Sequence, residues 1–411
     1  MECINNMNEA LSQLIRMSRA VGRDRTLVQG GGGNTSVKTA DGKYMYIKAS
    51  GTALKDMSKT RGWRRMRLDS VLSIIKDKSL ARLETHARET EVVNRLLLAC
   101  DDNVTGPARP SVEAHLHGFL DKCVIHLHPS AAGAFVNAKN GKAQLKKLFK
   151  TETIPPLWVS YTDPGSTLAK KIARLVKNYQ KQFGKKPEIL FLHKHGLFIS
   201  AGNADSALRL VHKVINRCNS KLKQLAVLRT SQQAHDAEGA RRSRPKAGKV
   251  KFVSKEKIKN IKSCIRKAYL EATGEDATIS YFYDDEISSF MSQKDAREML
   301  SAGVLTPDEL VYSNGPAMWV ERIETADITK RLTLQIKKGE KQSVAFLVKD
   351  TGLFVAGKKK VAQTVRDIVA YSAFIRTNAR RMGGICSLNK RQRDFINRWE
   401  AEAFRKKVAA G

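Results

Sequence analysis

The fold of this chain is decided by a short apolar stretch, Cys123-Val124-Ile125-His126-Leu127-His128, which ends at Pro129. Its β-branched residues and the proline that bounds it predict a buried strand. Because side chains of a strand alternate between its two faces, His126 and His128 project to the same side, close enough to share a bound ion. This strand therefore carries a candidate ligand pair as well as a core element.

A second apolar run, Ile189-Leu190-Phe191-Leu192, continues into His193-Lys194-His195-Gly196 and predicts another strand that ends on a third candidate ligand, His195. Three neutral imidazoles that leave one coordination position open are typical of a catalytic zinc-type site. Taken alone, a His-x-His pair is more often part of a half-exposed strand without a ligand. The metal interpretation therefore depends on the neighbouring motifs.

The elements around these strands predict a first α/β domain. A glycine-rich turn at 30–33 precedes a predicted hairpin in which Asp41-Gly42 joins residues 35–39 to residues 44–48. Helical patterns then alternate with the two histidine strands up to a last helix that ends near residue 228. Residues 1–228 are therefore expected to form one domain.

The rest of the chain changes character after this domain. Residues 229–256 are polar, basic and without apolar periodicity, which predicts a linker. Residues 257–411 resume helical and strand patterns and predict a second, smaller α/β domain. Its stretch 347–355 resembles 191–199, either as a degenerate internal duplication or as chance similarity of a short strand and turn. In a duplication, Thr351 would take the place of His195.

Length, charge and cysteines limit the class of protein. The 411 residues suffice for two domain cores, and no apolar run approaches the roughly 20 residues that span a membrane. The N-terminus has no pattern of a secretory signal, and six scattered cysteines predict reduced thiols in a cytoplasm. A net charge of +34 without a nucleic-acid-binding motif predicts no specific nucleic-acid partner, although it favours anionic small substrates.

Between the glycine turn and the first histidine strand lie further candidates for chemistry. Glu113 falls in the first turn of a helix predicted over 112–122, where its carboxylate is either a metal ligand, a general base or a compensating charge for the helix dipole. The side chains of Asn34 and Thr35, together with hydroxyl groups of the stretch Ser50-Gly51-Thr52 and of Ser111, add polar donors to the backbone N–H groups of the turn. These groups predict an anion nest, with a merely flexible turn as the alternative, since P-loop and dinucleotide spacings are absent.

Taken in chain order, these motifs resemble the class II aldolase/adducin family. The resemblance covers about residues 5–225 and rests on these matching stretches: Gly33-Asn34-Thr35-Ser36, Lys48-Ala49-Ser50-Gly51-Thr52, Pro110-Ser111-Val112-Glu113, His126-Leu127-His128-Pro129 and His195-Gly196. Stretches at 305–308 and 399–402 are similar to the long, rhamnulose-phosphate-aldolase-like branch. Some members of that branch continue into a short-chain dehydrogenase domain, whose activity does not carry over to this chain. The resemblance implies a three-layer α/β aldolase domain.

The resemblance also implies roles for individual residues. It implies one divalent metal per chain, usually zinc, held by His126, His128 and His195, with Glu113 as the acid/base. The positions that it matches to the substrate phosphate are Gly33, Asn34, Ser50, Gly51 and Ser111. His115, His117 and His193 are expected to be structural or supporting, with His193 the main rival of His195 because both lie on one face of the predicted strand.

The implied reaction is reversible cleavage of a ketose 1-phosphate to dihydroxyacetone phosphate and an aldehyde, by a homo-oligomer. Glu113 favours the aldolase interpretation, since related epimerases usually carry aspartate at this position. A sugar-phosphate epimerase or dehydratase with the same metal site is the first alternative. A non-catalytic, adducin-like interaction protein is the second, although such relatives lack the ligand histidines.

Overall fold

The computed structural model describes residues 2–102, 108–235, 253–402 and 404. The chain divides into two compact units. Unit 1 comprises residues 1–137, 141–215 and 388–411, and unit 2 comprises residues 138–140 and 216–387. Both units combine a β-sheet with helices, as the sequence predicts.

The helices and strands of the described residues have the following bounds. The helices are α1 (Glu2–Gly22), α2 (Leu68–Lys76), α3 (Thr85–Leu98), α4 (Ala114–Gly118), α5 (Ser130–Val136), α6 (Gly141–Leu148), α7 (Ser166–Phe183), α8 (Ala204–His235), α9 (Lys255–Thr273), α10 (Asp285–Met291), α11 (Ala296–Ser301), α12 (Pro307–Ser313), α13 (Thr325–Lys337), α14 (Lys359–Arg380) and α15 (Lys390–Arg398). The strands are β1 (Asn34–Lys38), β2 (Tyr44–Lys48), β3 (Trp63–Arg67), β4 (Cys123–Leu127), β5 (Leu157–Val159), β6 (Ile189–Leu192), β7 (Gly196–Ala201), β8 (Ile279–Phe282), β9 (Met318–Val320), β10 (Ala345–Val348) and β11 (Gly352–Ala356).

The sheet of unit 1 has the strand order β3-β2-β1-β4-β7-β6-β5. Only the β5–β6 pair is parallel among these neighbours. Strand β4 is central and fully buried, which explains its continuous apolar sequence. Its two neighbours place Asn34 of β1 and Phe198 of β7 directly beside His126. The sheet therefore brings the histidine strand next to the end of the glycine turn.

Helices cover both faces of this sheet and make the predicted three layers. On one face, the hydroxyl of Ser18 in α1 lies 2.6 Å from that of Thr35 in β1. The opposite face carries a buried cluster in which Leu116 of α4 and Leu168 of α7 pack against Val124 of β4. Because strand residues alternate in direction, Val124, His126 and His128 all face the α4 and α7 side.

Unit 2 is built on a second sheet with the order β8-β11-β10-β9. Alternating residues of β10 fill two separate cores, with Leu347 in one and Phe346 in the other. The side chain of Arg376 in α14 is completely buried and donates to the carboxylate of Glu309 at 2.8 Å. An ion pair at this depth needs further hydrogen bonds, which Arg376 obtains from the carbonyls of Met299 and Gly303.

The division of the chain differs from the predicted domains. Residues 229–235, expected in a linker, are the last turns of α8, and residues 236–252 of that linker lie outside the described part. The C-terminal segment from Leu388 belongs to unit 1, although the sequence assigned it to the second domain. None of the helices in the described residues is long and apolar enough to cross a membrane.

Candidate active site

Three histidines converge at one end of the central strand of unit 1. His126 lies in β4, His128 follows its last residue, and His195 directly precedes β7, which pairs with β4. One ring nitrogen from each histidine lies within 4.8 Å of the others. His126 and His128 are buried, with 1% and 3% of their surface exposed, whereas His195 is partly exposed. The structure therefore brings together all three predicted ligands.

The orientation of His126 fits a role as a metal ligand. Its Nδ1 lies 3.1 Å from the carbonyl oxygen of Leu197, and its ring stacks on Phe198 with centroids 4.1 Å apart. A hydrogen bond from Nδ1 to a backbone carbonyl fixes the tautomer whose Nε2 carries the lone pair. That Nε2 lies 3.0 Å from Nε2 of His128. The donor set and its convergence fit a divalent cation.

Glu113 lies beside the histidines at the residue that caps α4. Its carboxylate oxygens are 3.5 Å from Nε2 of His126 and 3.9 Å from Nε2 of His195. The amide of Asn34 donates to Oε2 at 2.6 Å, whereas Oε1 is buried and has no hydrogen-bond partner in the described part of the chain. Oε2 thus lies between Asn34 and His126, whereas Oε1 lies near His195 and accepts no hydrogen bond from the described residues.

Helix α4 is shorter than the sequence predicts, and this decides the geometry of Glu113. The expected helix over 112–122 is helical only at Ala114–Gly118, and Glu113 precedes it with φ −93° and ψ 8°. Its side chain forms no capping hydrogen bond, so compensation of the helix ends does not explain its direction. The side chain instead turns towards Asn34.

His193 and His195 are not on one strand face, which corrects the sequence-based expectation. Strand β6 ends at Leu192, and Lys194 between the two histidines has a left-handed φ of 59°. This turn separates the two rings, and His193 packs against Trp158 with ring centroids 5.5 Å apart. Burial, followed by the charge of Lys194, lowers the pKa of His193 to about 4. His193 is outside the histidine cluster.

His115 and His117 are buried in α4, and neither belongs to the group of three convergent histidines. Burial lowers the pKa of His115 to about 4 and that of His117 well below its usual value. His117 contacts the hydroxyl of Ser36 through Nδ1 at 2.8 Å. Both histidines are therefore neutral core residues.

The predicted anion-binding residues lie at the same edge of the sheet as Glu113. Asn34 connects the glycine turn to Glu113, and Ala49 forms a β-bridge with Pro110. The backbone N–H of Ser50 donates to the carbonyl of Arg109 at 2.8 Å, and that of Ser111 donates to the carbonyl of Lys48 at 3.1 Å. These bonds align the segment that carries Ser50 with the segment that carries Ser111.

Gly33 is required by the close approach of two backbones. Its φ is +62°, and a Cβ at this position would meet the carbonyl oxygen of His126 at 2.8 Å. Gly51 also has a positive φ, of 81°. Glycine allows both the left-handed backbone and the contact with the histidine strand.

Two supporting groups were not predicted as site residues. The ammonium of Lys48, a buried residue, donates to the carbonyl of Gly31 at 3.0 Å and ties the glycine turn to β2. The guanidinium of Arg109 donates to Glu400 at 2.7 Å and lies over the ring of Phe404, 4.3 Å from its centroid. The stretch 399–402 is one of those similar to the rhamnulose-phosphate-aldolase-like branch, but its sequence does not reveal that Glu400 pairs with Arg109.

Comparison with known proteins finds a curated relative that matches most of this chain. This relative from Bacillus subtilis (strain 168), named "Uncharacterized oxidoreductase YuxG", is 28% identical over 342 residues, which are 80% of this chain and 45% of the relative. The chain thus spans about half the length of this curated relative.

Solved structures of class II aldolases are also similar. The N-terminal class II aldolase domain of a conserved protein from Thermoplasma acidophilum is 27% identical, with a TM-score of 0.42 over 51% of this chain and 92% of that one. The L-fuculose-1-phosphate aldolase from Thermus thermophilus is 16% identical, with a TM-score of 0.33 over 53% of this chain and 97% of that one.

The matching of a whole domain identifies the family. Residues 12–222, slightly more than half of the chain, match the family described as "Class II Aldolase and Adducin N-terminal domain". The match contains the glycine turn, Glu113 and all three clustered histidines. The chain therefore belongs to the class II aldolase and adducin family.

Proposed function

We propose that this protein is a metal-dependent aldolase that reversibly cleaves a ketose 1-phosphate, similar to rhamnulose 1-phosphate, into dihydroxyacetone phosphate and an aldehyde. The observation that carries the proposal is the convergence of three imidazoles, with ring nitrogens within 4.8 Å, beside the open Oε1 of Glu113. Imidazoles in this number leave a coordination position for a substrate oxygen. An interaction protein without catalysis has no need for such a buried cluster.

His126, His128 and His195 would hold one divalent ion, for which we propose Zn²⁺. When bound, the ion supplies Lewis acidity that stabilises negative charge on the carbonyl oxygen of the substrate. Glu113 removes and returns the proton beside that carbonyl through Oε1, because Asn34 holds Oε2.

The phosphate group of the substrate would bind at the neighbouring sheet edge. We assign it to the side chains of Asn34, Ser50 and Ser111 and to backbone N–H groups at Gly33 and Gly51. These donors are neutral, and backbone amides of a glycine turn are suited to an anion. The strongly basic surface, with a net charge of +34, raises the local concentration of a phosphorylated sugar.

Two further expectations accompany this proposal. We propose a homo-oligomer, in keeping with the family resemblance, and a cytoplasmic location, in keeping with the six scattered cysteines. The name of the Bacillus subtilis relative refers to an oxidoreductase, but this chain covers 45% of that protein. We therefore assign no redox reaction to this chain.

The test combines metal analysis with a substrate screen. The purified full-length chain is analysed for bound metals and then assayed with a panel of ketose 1-phosphates, with dihydroxyacetone phosphate as the measured product. We expect cleavage that a chelator abolishes and that added Zn²⁺ restores. Interconversion of pentose phosphates without release of dihydroxyacetone phosphate would instead identify an epimerase, and a metal-free, inactive protein would reject catalysis.

A further inference from the structure

The four strands of unit 2 repeat the arrangement of four strands in unit 1. Neighbours in unit 1 follow the order β4-β7-β6-β5, and those in unit 2 follow the order β8-β11-β10-β9. In both sets the first two pairs are antiparallel and the last pair is parallel. Chain order and strand direction therefore correspond one to one.

The spacing along the chain agrees at the strands and turns equivalent to those that carry the histidines, whereas β5 and β9 begin at residues 157 and 318, a difference of 161. Strand β4 ends at Leu127 and α5 begins at Ser130, whereas β8 ends at Phe282 and α10 begins at Asp285, each 155 positions later. Helices α6 and α11 begin at residues 141 and 296, again 155 positions apart. Strands β7 and β11 begin at residues 196 and 352, a difference of 156. Chance similarity of one short strand and turn does not maintain such an offset.

The turns before β7 and β11 have the same form. Lys194 and Asp350 occupy equivalent positions, and both have left-handed φ angles, of 59° and 55°. The glycine two residues later is crowded in each unit, since a Cβ would meet the carbonyl oxygen of Leu127 at 2.5 Å at Gly196 and that of Phe282 at 2.8 Å at Gly352. The equivalence therefore holds at single residues.

Strand register then defines the counterparts of the histidines. His126 pairs with Phe198 and stacks on it, and Tyr281 pairs with Phe354, with ring centroids 4.9 Å apart. We infer that unit 2 is a copy of the histidine-bearing half of unit 1, in which Tyr281, Tyr283 and Thr351 occupy the positions of His126, His128 and His195. The inference that unit 2 copies the backbone of unit 1 does not depend on the proposed function. The inference that unit 2 has lost a metal site rests on the proposed function.

The side chains at these positions explain how unit 2 dispenses with an ion. The hydroxyl of Tyr281 donates to the backbone carbonyl of Thr351 at 2.9 Å. In unit 2, a direct hydrogen bond thus joins the two segments that are equivalent to those carrying His126 and His195 in unit 1. Neutral phenol and alcohol groups are poor ligands for a divalent ion compared with imidazole. A structural contact thus occupies the place of the ligands, on strands with the same order and register.

The decisive experiment restores the three imidazoles in the full-length chain. The variant Tyr281→His/Tyr283→His/Thr351→His should bind one more Co²⁺ per chain than the parent protein, detected by titration and by the visible absorption of the bound ion. The matched control is Tyr281→His/Tyr283→His/Lys349→His, because Lys349 is the counterpart of His193 rather than of His195. This control should bind no additional Co²⁺ with the affinity expected of a site formed by three histidines.

Other outcomes distinguish the proposed metal site of unit 1 from the inference that unit 2 is a copy. A parent without metal whose triple variant binds one ion would reject the proposed site in unit 1 and retain the copy. A folded triple variant with the ion content of the parent, or a gain in the Lys349 control instead, would overturn the copy. If the triple variant does not fold, Tyr281→His/Tyr283→His should bind Co²⁺ at least tenfold more tightly than Tyr281→His/Phe282→His, and equal binding would reject the inference.

Discussion

At the scale of single residues, the pair formed by Asn34 and Glu113 decides which carboxylate oxygen can act as a base. The amide of Asn34 holds Oε2 at 2.6 Å, whereas Oε1 lies 3.9 Å from Nε2 of His195 and has no hydrogen-bond partner among the described residues. Glu113→Gln should therefore retain the bound metal and lower turnover by about 10²-fold or more, because an amide cannot accept the proton. Turnover is measured as release of dihydroxyacetone phosphate, with the exposed Glu340→Gln as the control. Turnover close to the parent value, with intact metal, would return Glu113 to a structural role.

The choice between His193 and His195 has a direct test. His195→Ala should remove the metal and abolish cleavage, because it takes away one of three convergent ring nitrogens. His193→Ala should leave the metal in place, since this ring packs against Trp158 instead. Metal content by mass spectrometry of the intact native protein distinguishes the two. Loss of metal in His193→Ala alone would show that the turn at Lys194 has another conformation in solution.

His115 should make the fold sensitive to acid. Burial lowers its pKa to about 4 in the folded chain, below its usual value of 6.5. Between these two pH values the unfolded chain binds more protons than the folded chain. The contribution of neutral His115 to the free energy of unfolding is therefore complete above about pH 6.5 and is lost as the pH falls towards 4. A single such group contributes a slope of at most about 1.4 kcal/mol per pH unit.

The measurement for His115 is a series of urea unfolding curves between pH 4 and pH 7. His115→Gln should reduce the slope of unfolding free energy against pH, by an amount that corresponds to at most one proton taken up on unfolding. This holds whatever the effect of the substitution on absolute stability. The control is His86→Gln, a substitution at an exposed position. An unchanged slope in His115→Gln would mean that another buried group causes the acid sensitivity.

Several of these residue roles could be read from the sequence, and the reason is local chemistry. The alternation of a strand places His126 and His128 on one face without any knowledge of the fold. The separation of His193 from His195 could not be predicted, because it depends on a left-handed backbone at Lys194, a residue type that rarely adopts it. The hydrogen bond between Asn34 and Glu113 joins residues 79 positions apart and requires the sheet order.

At the scale of elements, the glycine turn before β1 sets the distance between two strands. A Cβ at Gly33 would meet the carbonyl oxygen of His126 at 2.8 Å, whereas one at Gly42, in the next turn, meets nothing within 4 Å. Both glycines have positive φ angles, of 62° and 68°, so the backbone strain of an alanine is similar at the two positions. Their comparison therefore isolates the steric contact with the histidine strand.

Gly42→Ala should lower the free energy of unfolding by about 1 kcal/mol, the cost of a left-handed alanine. Gly33→Ala should cost about 2–4 kcal/mol, because the carbonyl of His126 must also move. Urea denaturation gives both values, and metal affinity gives a second readout that only Gly33→Ala should weaken. Equal losses of stability with equal metal affinity would contradict the close approach.

Elements with turn signals at both ends were predictable, and elements defined by distant contacts were not. The first hairpin follows from Asp41-Gly42, and β1 and β2 lie where the sequence predicts them. Helix α4 begins later than predicted, at Ala114, because the segment before it is tied to Lys48 and Ser50 by backbone hydrogen bonds. The return of the C-terminal segment to unit 1 leaves no local signal, since its ion pair joins Arg109 to Glu400 across 291 positions.

At the scale of the whole molecule, the sequence predicts two α/β parts, and the structure shows four strands with the same order and directions in each. The stretches 191–199 and 347–355 indicate this relation only in outline. Identity at the ligand positions has been lost, so that Tyr281 and Thr351 resemble no metal ligands. The shared strand order and the equivalence of single residues become visible only when the registers of both sheets are known.

This relation predicts the number of ions that one chain binds. The described residues contain one cluster of three potential ligand groups with convergent atoms, and it lies in unit 1. Unit 2 presents Tyr281, Tyr283 and Thr351 at the equivalent positions, and residues 257–411 contain no histidine. We therefore expect one tightly bound divalent ion per chain, and His126→Ala should remove it completely.

A carboxylate of unit 2 provides the matched comparison for this count. Glu321 is exposed and pairs with Lys349, so that Glu321→Gln should leave the ion content unchanged. Metal analysis after extensive dialysis, together with titration of Zn²⁺ into the chelated protein, measures the stoichiometry of both variants. Two tightly bound ions in the parent chain would contradict the count. Retention of a full equivalent in His126→Ala would place the site elsewhere, because a cluster of three imidazoles that loses one ligand cannot maintain its affinity.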